Sequence, residues 1–134
     1  MAFQSSPVLD YSFTAAEDLS SYQYHFVCIN TSGNAALMDA VGDIPVGVLQ
    51  NAPESGEAAT VRILGISKVV ANDAVDEGAH IKAEFVGVTD CGKAEANTAT
   101  YTTSLGRCVS ASGAEDDLCS VMLTPGGVVP LALT

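Results

Sequence analysis

The sequence is dominated by short apolar segments, each ended by a cluster of Gly, Pro, Asn or Asp. Residues 47–61, GVLQNAPESGEAATV, show the pattern: one apolar run stops at Gln50 and Asn51, and the next starts at Ala58. About nine such segments follow one another at the spacing typical of short strands, and none sustains the 3.6-residue period of an amphipathic helix. This pattern predicts an all-β fold, a small barrel or sandwich of about nine short strands.

The organisation along the chain is that of one domain, because 134 residues are too few for two cores. We expect an extended N-terminal arm over residues 1–20, a β-domain over 21–124 and a C-terminal tail over 125–134. Within the domain the predicted strands are 22–30, 44–51, 58–71 with a break or bulge at Gly65, 79–89, and a hairpin of 105–111 with 118–123. Residues 95–104 are polar and fit either a strand or a long loop.

The charge is strongly acidic, with 5 Lys and Arg against 16 Asp and Glu and a net charge of −11. Such a surface repels phosphates and anionic lipids, so we expect no direct nucleic-acid partner and no membrane partner. The uncharged stretch from Leu118 to Thr134 needs an apolar surface to cover it. Together with an N-terminal half that carries only acids, it predicts self-association, and we expect a homotrimer.

The four cysteines, at positions 28, 91, 108 and 119, form no C-x-x-C pair and no zinc-ligand spacing. The N-terminus lacks the basic and long apolar regions of a signal peptide. We therefore expect synthesis in a cytoplasm and free thiols, with a disulfide as the alternative.

Catalytic motifs are absent from the sequence. His25 lies in an alternating aromatic segment and His80 follows a turn; neither belongs to a G-x-S-x-G elbow or a metal motif. The acidic turns NDAVDEG (72–78) and Glu115–Asp117 fail the spacing of a calcium loop, so they are interpreted as solvated turns. We expect no enzyme activity, no metal and no cofactor.

A resemblance rests on the stretch from GVLQNAPESGEAATVRILGISKVVA through EGAHI, DCGK and LGRCVSA to DLCSVML, within residues 44–124. This series of strands and turns resembles the small capsid decoration, or cement, proteins of tailed bacteriophages. The resemblance implies a non-enzymatic, mostly β protein, often trimeric, on the outer surface of the virion capsid. It implies the major capsid protein as partner and stabilisation of the expanded head by clamping neighbouring capsid subunits.

Two other functions stay open on the sequence. One is a virion-surface or cell-surface module that recognises a glycan or receptor through Tyr22, Tyr24 or Tyr101. The other is a small hydrolase or lyase, which needs a pocket that gathers His25 or His80 with carboxylates.

Apolar side chains on the irregular, acidic arm are the candidate partner contacts. They are unfavourable in water at roughly 25 cal/mol per Å² of exposed apolar surface, and an arm that orders on a partner avoids this. We expect them to contact a neighbouring subunit or the capsid rather than the chain's own core: Phe3, Val8, Leu9, Tyr11 and Phe13.

Overall fold

The computed structural model describes residues 2, 5–100 and 102–130, and in this part of the chain it contains strands and no helix. The all-β prediction is confirmed, and so is the number of strands. The strands are β1 Ser5–Thr14, β2 Phe26–Ile29, β3 Ala35–Ala36, β4 Gly47–Leu49, β5 Ala58–Val70, β6 His80–Gly87, β7 Asp90–Ala96, β8 Thr103–Ser110 and β9 Leu118–Val128.

The strands form one antiparallel sheet in the order β3-β2-β4-β5-β9-β8-β6-β7, and β1 pairs with β5. The sheet is not closed into a barrel. Its centre is β5, whose 13 residues pair with three strands: β1, β4 and β9. Symmetric pairing of 105–111 with 118–123 predicts residue 108 opposite 121 and residue 110 opposite 119. The first pair is confirmed in the β8–β9 hairpin, but the second is wrong, because a bulge after Cys108 places Ser110 opposite Ser120.

Gly65 in β5 marks an irregularity, as predicted, but the strand continues through it. Its φ is 101°, a left-handed value that suits glycine. A Cβ there would lie 2.8 Å from Val8 Cγ1 and 2.9 Å from the Pro7 carbonyl oxygen. The β1–β5 pairing shifts register twice, between Ser5 and Leu9 and between Leu9 and Asp10. The close approach of β1 at Pro7 and Val8 accounts for the glycine.

Two clusters of buried side chains make the core. β2 and β4 supply residues to both: Phe26 and Val48 join the first cluster, and Val27 and Leu49 join the second. Alternate residues of a strand point to opposite faces, so these two strands are covered on both sides. At Gly92 of β7, whose φ is 90°, a Cβ would lie 2.6 Å from the Phe26 carbonyl oxygen. β7 therefore packs closely over β2.

The N-terminal segment is extended, but it belongs to the chain's own sheet. β1 pairs with β5 from Ser5 opposite Ile66 to Thr14 opposite Ala58. Beyond it, Ala15 and Leu19 are buried in the second cluster. The expectation that this segment does not contact the chain's own core is wrong. It forms a strand of the sheet and then supplies two buried residues to the core.

Several other elements differ from the sequence predictions. β7 Asp90–Ala96 starts directly after the predicted strand 79–89, where a turn was expected, and β4 is shorter than the predicted 44–51. β2 starts only at Phe26, because Tyr24 has a φ of 62°, which interrupts an extended strand. At the other end, β9 runs on to Val128 and Val129 is buried, so the first residues of the predicted tail continue the hairpin.

Candidate functional site

The segment that holds the predicted contact residues forms β1, and the outer edge of this strand is the candidate contact surface. Within the described residues β1 pairs with β5 alone, so its second edge presents unpaired backbone N–H and C=O groups. Leu9 is 41% exposed opposite Leu64, which is 43% exposed, and Tyr11 is 55% exposed. This combination of a free strand edge and exposed apolar side chains is typical of a site for strand addition.

The five candidate contact residues divide between surface and core. Leu9 and Tyr11 are exposed. Val8 is half-buried against Gly65, and Phe13 packs on the second cluster with its ring centroid 6.1 Å from that of Tyr11. Phe3 lies outside the described residues. Whether any of them contacts a partner stays a prediction.

An ion pair fixes β1 on the sheet. Arg62 donates from Nε to Asp10 Oδ1 at 2.8 Å and from Nη2 to Asp10 Oδ2 at 3.1 Å. A third nitrogen, Nη1, donates to the Ile66 carbonyl oxygen at 3.1 Å. The Arg62 side chain is only 11% exposed, so this two-point pair is more strongly held than an ordinary surface ion pair.

Of the three tyrosines of the glycan alternative, the two that the structure describes, Tyr22 and Tyr24, form no exposed row. Tyr22 is half-buried, donates its hydroxyl to the Thr89 carbonyl oxygen at 2.8 Å, and meets the ring of His25 edge-on at 5.4 Å. Burial is the main cause that raises the pKa of Tyr22. Tyr24 is also half-buried, with Lys68 Nζ 6.0 Å from its ring centroid. Tyr101 lies outside the described residues.

The histidines are placed as structural groups. The His25 ring is buried and its Nδ1 lies 3.1 Å from the Gln23 carbonyl oxygen. Burial lowers the pKa of His25, so the neutral ring is favoured. His80 Nδ1 lies 2.9 Å from Ser104 Oγ, but this buried hydroxyl donates its own proton to the Gly106 carbonyl oxygen at 3.1 Å. While the Ser104 hydroxyl donates to Gly106, the hydrogen bond between His80 and Ser104 has the ring nitrogen as its donor, and His80 does not accept the serine proton.

Two surface grooves bear on the hydrolase alternative. One, of about 430 Å³, is lined mainly by apolar residues such as Ile44, Ile63, Leu123 and Val128. The other, of about 450 Å³, adds Lys82 and two carboxylates to a largely apolar lining. Neither groove contains a histidine, and the described residues hold no group of three metal-ligating side chains. The pocket that this alternative needs is not formed by these grooves.

A buried carboxyl group, Glu84 on β6, was missed by the sequence analysis. It is 2% exposed and neither of its carboxylate oxygens has a hydrogen-bond partner. Burial, followed by the negative charge of Asp90, raises the pKa of Glu84 to about 7, while Lys93 acts in the opposite sense. The alternation of β6 gave no signal for it, because Lys82 and Val86, on the same side of the strand, are exposed. The register shift between Ala83 and Phe85 places one extra residue on β7, opposite Glu84.

The cysteines are all free thiols in the structure, as expected, and three of the four are buried. Burial raises the pKa of Cys28 to about 11 and that of Cys119 to about 12. Cys108 Sγ and Cys119 Sγ donate instead to backbone carbonyl oxygens, each at 3.4 Å. Thiols of this kind are unreactive core groups.

The acidic turns are exposed, in agreement with the solvated-turn interpretation. They meet at one end of the domain, where Val75 and Ser112 form a β-bridge and Ser112 Oγ donates to the Asp73 carbonyl oxygen at 3.1 Å. Lys93 Nζ lies 2.8 Å from Asp116 and 3.5 Å from Glu115. Residues 72–78 and 113–117 together are called the acidic end below.

The fold and its surfaces define an all-β domain with a free edge strand, and known structures contain this fold. The chain is similar to the crystal structure of the N base of head fiber gp8.5 of bacteriophage phi29, with a TM-score of 0.66. The likeness covers 90% of this chain and 98% of that one at 16% sequence identity. No protein-family model matches the chain, and no curated protein matches it either.

This comparison shows the fold, and it agrees with the sequence resemblance to proteins of the phage head. The described part of the chain also contains no helix that is long and apolar enough to cross a membrane.

Proposed function

We propose that the chain is a non-enzymatic structural protein of a tailed-phage virion, which binds the outer surface of the capsid and stabilises the expanded head by clamping neighbouring capsid subunits. The observation that carries the proposal is the fold shared with the phi29 head-fiber base over 90% of the chain. The sequence resemblance to cement proteins supports the same class from the strand and turn pattern of residues 44–124.

The free edge of β1 is the proposed capsid contact. A strand of a capsid subunit added to this edge would satisfy its unpaired backbone groups, and Leu9 and Tyr11 would lose exposed apolar surface. The Asp10–Arg62 ion pair would keep β1 attached to β5 when the capsid subunit pulls on it. Binding through β1 on one side and through the body of the sheet on the other is how one small domain would clamp two subunits.

Co-sedimentation with phage heads tests this proposal. Purified protein is mixed with unexpanded and with expanded heads of the phage that encodes it, and bound protein is measured after pelleting. We expect saturable binding to expanded heads and later release of DNA on heating. The proposal is wrong if the protein binds neither form, or binds without changing the stability of the head.

Substitutions on the edge strand locate the contact. Tyr11→Asp places a charge at a side chain that is 55% exposed, and Val88→Asp is the matched control at a residue that is 58% exposed elsewhere. Both variants should fold with the wild-type circular dichroism spectrum. Only Tyr11→Asp should lose head binding, by about tenfold or more, since a charge buried in an interface without a partner is strongly unfavourable.

A homotrimer is the proposed form of the protein. Its support is the set of large apolar side chains left exposed on the lone chain, among them Leu118, Met122 and Val128 at 37%, 45% and 54%. Light scattering at micromolar concentration and above measures this directly. A monomer throughout that range would contradict it.

A further inference from the structure

The β6–β7 hairpin is paired with the rest of the sheet along only part of its length. Within the described residues, β8 pairs with β6 at His80 and Ile81 and at no later residue, although β6 continues well beyond them. On its other side, β7 meets the end of β5 at a bridge between Ala71 and Ala94. Residues 84–92 lie beyond both attachments, and we call them the hairpin end.

Local side-chain contacts hold the hairpin end against the body of the domain. Thr89 accepts a hydrogen bond from the Tyr22 hydroxyl at 2.8 Å. Cys91 is buried in the second cluster, where its Sγ lies 3.8 Å from the Met38 carbonyl oxygen, and Phe85 packs on the same cluster. These contacts are not a ladder of backbone hydrogen bonds, so the hairpin end can move away from the domain while the rest of the sheet stays paired.

Glu84 lies in the hairpin end without a partner for a negative charge. It is 2% exposed, and neither of its carboxylate oxygens has a hydrogen-bond partner among the described residues. In the register of the hairpin it faces Gly92 and Lys93. A carboxylate in such a place is unfavourable unless it is protonated or reaches water.

The charges around Glu84 do not neutralise it. Asp90 and Glu95 of β7 place negative charge near it, and Lys93 places positive charge there. The Lys93 ammonium is already 2.8 Å from Asp116 in the acidic end, so several carboxylates share it. An ionised Glu84 therefore meets more negative than positive charge, and this repulsion adds to the cost of its burial.

Other titratable groups near the hairpin end respond differently to pH. Burial is the main cause that raises the pKa of Tyr22 and of Cys91, so both are neutral near pH 7. Burial lowers the pKa of His25, which packs against Gly92, so its ring gains a proton only in acid. Lys82 pairs with a β7 carboxylate at 3.5 Å, and Glu17 adds a negative charge on the Cys91 side. As the solution becomes alkaline, Glu84 is the group here that changes charge.

We infer that the hairpin end is a pH-sensitive flap, which is closed over the second cluster while Glu84 is protonated and opens when Glu84 loses its proton. The closed form keeps Phe85 and Cys91 packed on the core. The open form brings the carboxylate into water, away from the charges of β7. Opening increases as the pH rises, because the closed form holds a proton that the open form has lost. This inference does not depend on capsid binding.

Labelling of Cys91 with N-ethylmaleimide tests the flap. A buried thiol reacts only after it becomes exposed, and peptide mass spectrometry measures each cysteine separately. Cys119, which is fully buried in the first cluster on β9, reports unfolding of the whole domain in the same sample. At pH 8 we expect Cys91 to react at least about tenfold faster than Cys119 in the wild-type protein, since local opening requires less free energy than global unfolding.

Glu84→Gln shows whether the proton controls the opening. An amide has no charge to bring into water, so this flap should stay closed at alkaline pH. The Cys91 rate of wild type divided by that of Glu84→Gln should rise at least about tenfold between pH 5 and pH 8. Effects of pH on the thiol and on His25 are common to both proteins and cancel in this ratio. Glu77→Gln, at an exposed carboxylate of the acidic end, is the matched control, and its ratio should change less than about twofold.

Each outcome decides the question. Equal rates at Cys91 and Cys119 in the wild-type protein would mean that the domain opens only as a whole, and the inference would be wrong. A Cys91 ratio that is the same at pH 5 and pH 8 would also overturn it, because opening would then be independent of Glu84. Hydrogen exchange of the backbone amides of residues 85–91 repeats the comparison without thiol chemistry and should give the same result.

Discussion

Glu84 should make the stability of this protein fall as the pH rises through neutrality. A carboxyl group in an unfolded chain titrates near 4.5, whereas burial raises the pKa of Glu84 to about 7 in the fold. Below about pH 4.5 the group is protonated in both states and has no effect. Between these two values the folded state holds a proton that the unfolded state has lost, so stability decreases with rising pH and then levels off above about pH 7.

The size of the effect follows from the two pKa values. At about 1.4 kcal/mol for each pKa unit, the rise corresponds to roughly 3 kcal/mol of lost stability at alkaline pH. Glu84→Gln removes the charge and keeps the shape, but it leaves an amide in a place without hydrogen-bond partners, at a cost of about 1 kcal/mol. The variant should therefore be about 1–3 kcal/mol more stable than wild type at pH 8, and equal or slightly less stable at pH 4.

Urea denaturation of both proteins between pH 4 and pH 9 measures this difference. The exposed Glu77→Gln is the control for the loss of one carboxylate. The difference between Glu84→Gln and wild type should grow mainly between pH 4.5 and pH 7. If it is the same at pH 5 and pH 8, or if the variant is the less stable protein at pH 8, then Glu84 is not a buried carboxyl with a raised pKa.

Three further outcomes are expected. Gly47→Ala should lower the free energy of unfolding by about 2–4 kcal/mol in urea denaturation, because a Cβ there would lie 2.2 Å from the Arg62 carbonyl oxygen. Gly87→Ala is the control and should change little, because a Cβ there would have no atom within 4 Å. Equal effects of the two substitutions would contradict this packing. Thiol titration in denaturant should find four reactive groups, and two would indicate a disulfide. Deletion of residues 2–14 should lower the melting temperature clearly, because β5 loses a partner along its length; an unchanged melting temperature would mean that β1 is dispensable to the fold.

The sequence contained enough to predict the strand class, because turn residues and apolar runs are local signals. The β8–β9 hairpin, including Cys108 opposite Val121, followed from symmetric pairing about a short tip. The bulge after Cys108 did not, since a bulge depends on what packs on each side. The pairing of β1 with β5 could not be predicted either, because nothing local in residues 5–14 specifies residues 58–66 as the partner.

The candidate site was also only partly predictable, because the sequence carries local signals but not the tertiary packing. Exposed apolar residues on the N-terminal strand could be found by composition, but which of them face the core, as Phe13 does, depends on tertiary packing. The burial of Glu84 could not be predicted from the sequence, because the residues around it on β6 have the pattern of an ordinary strand with one side in solvent.

The pairing of β1 with β5 also sets an order of events during synthesis. Residues 5–14 leave the ribosome before residues 58–66, and at about 5–20 residues per second the first strand waits on the order of several seconds for its partner. The β6–β7 and β8–β9 hairpins join neighbouring segments and close far faster once they emerge. The newly made chain therefore leaves β1 unpaired until residues 58–66 have emerged, and the backbone amides of β1 should gain hydrogen-exchange protection on the ribosome only after β5 has been made.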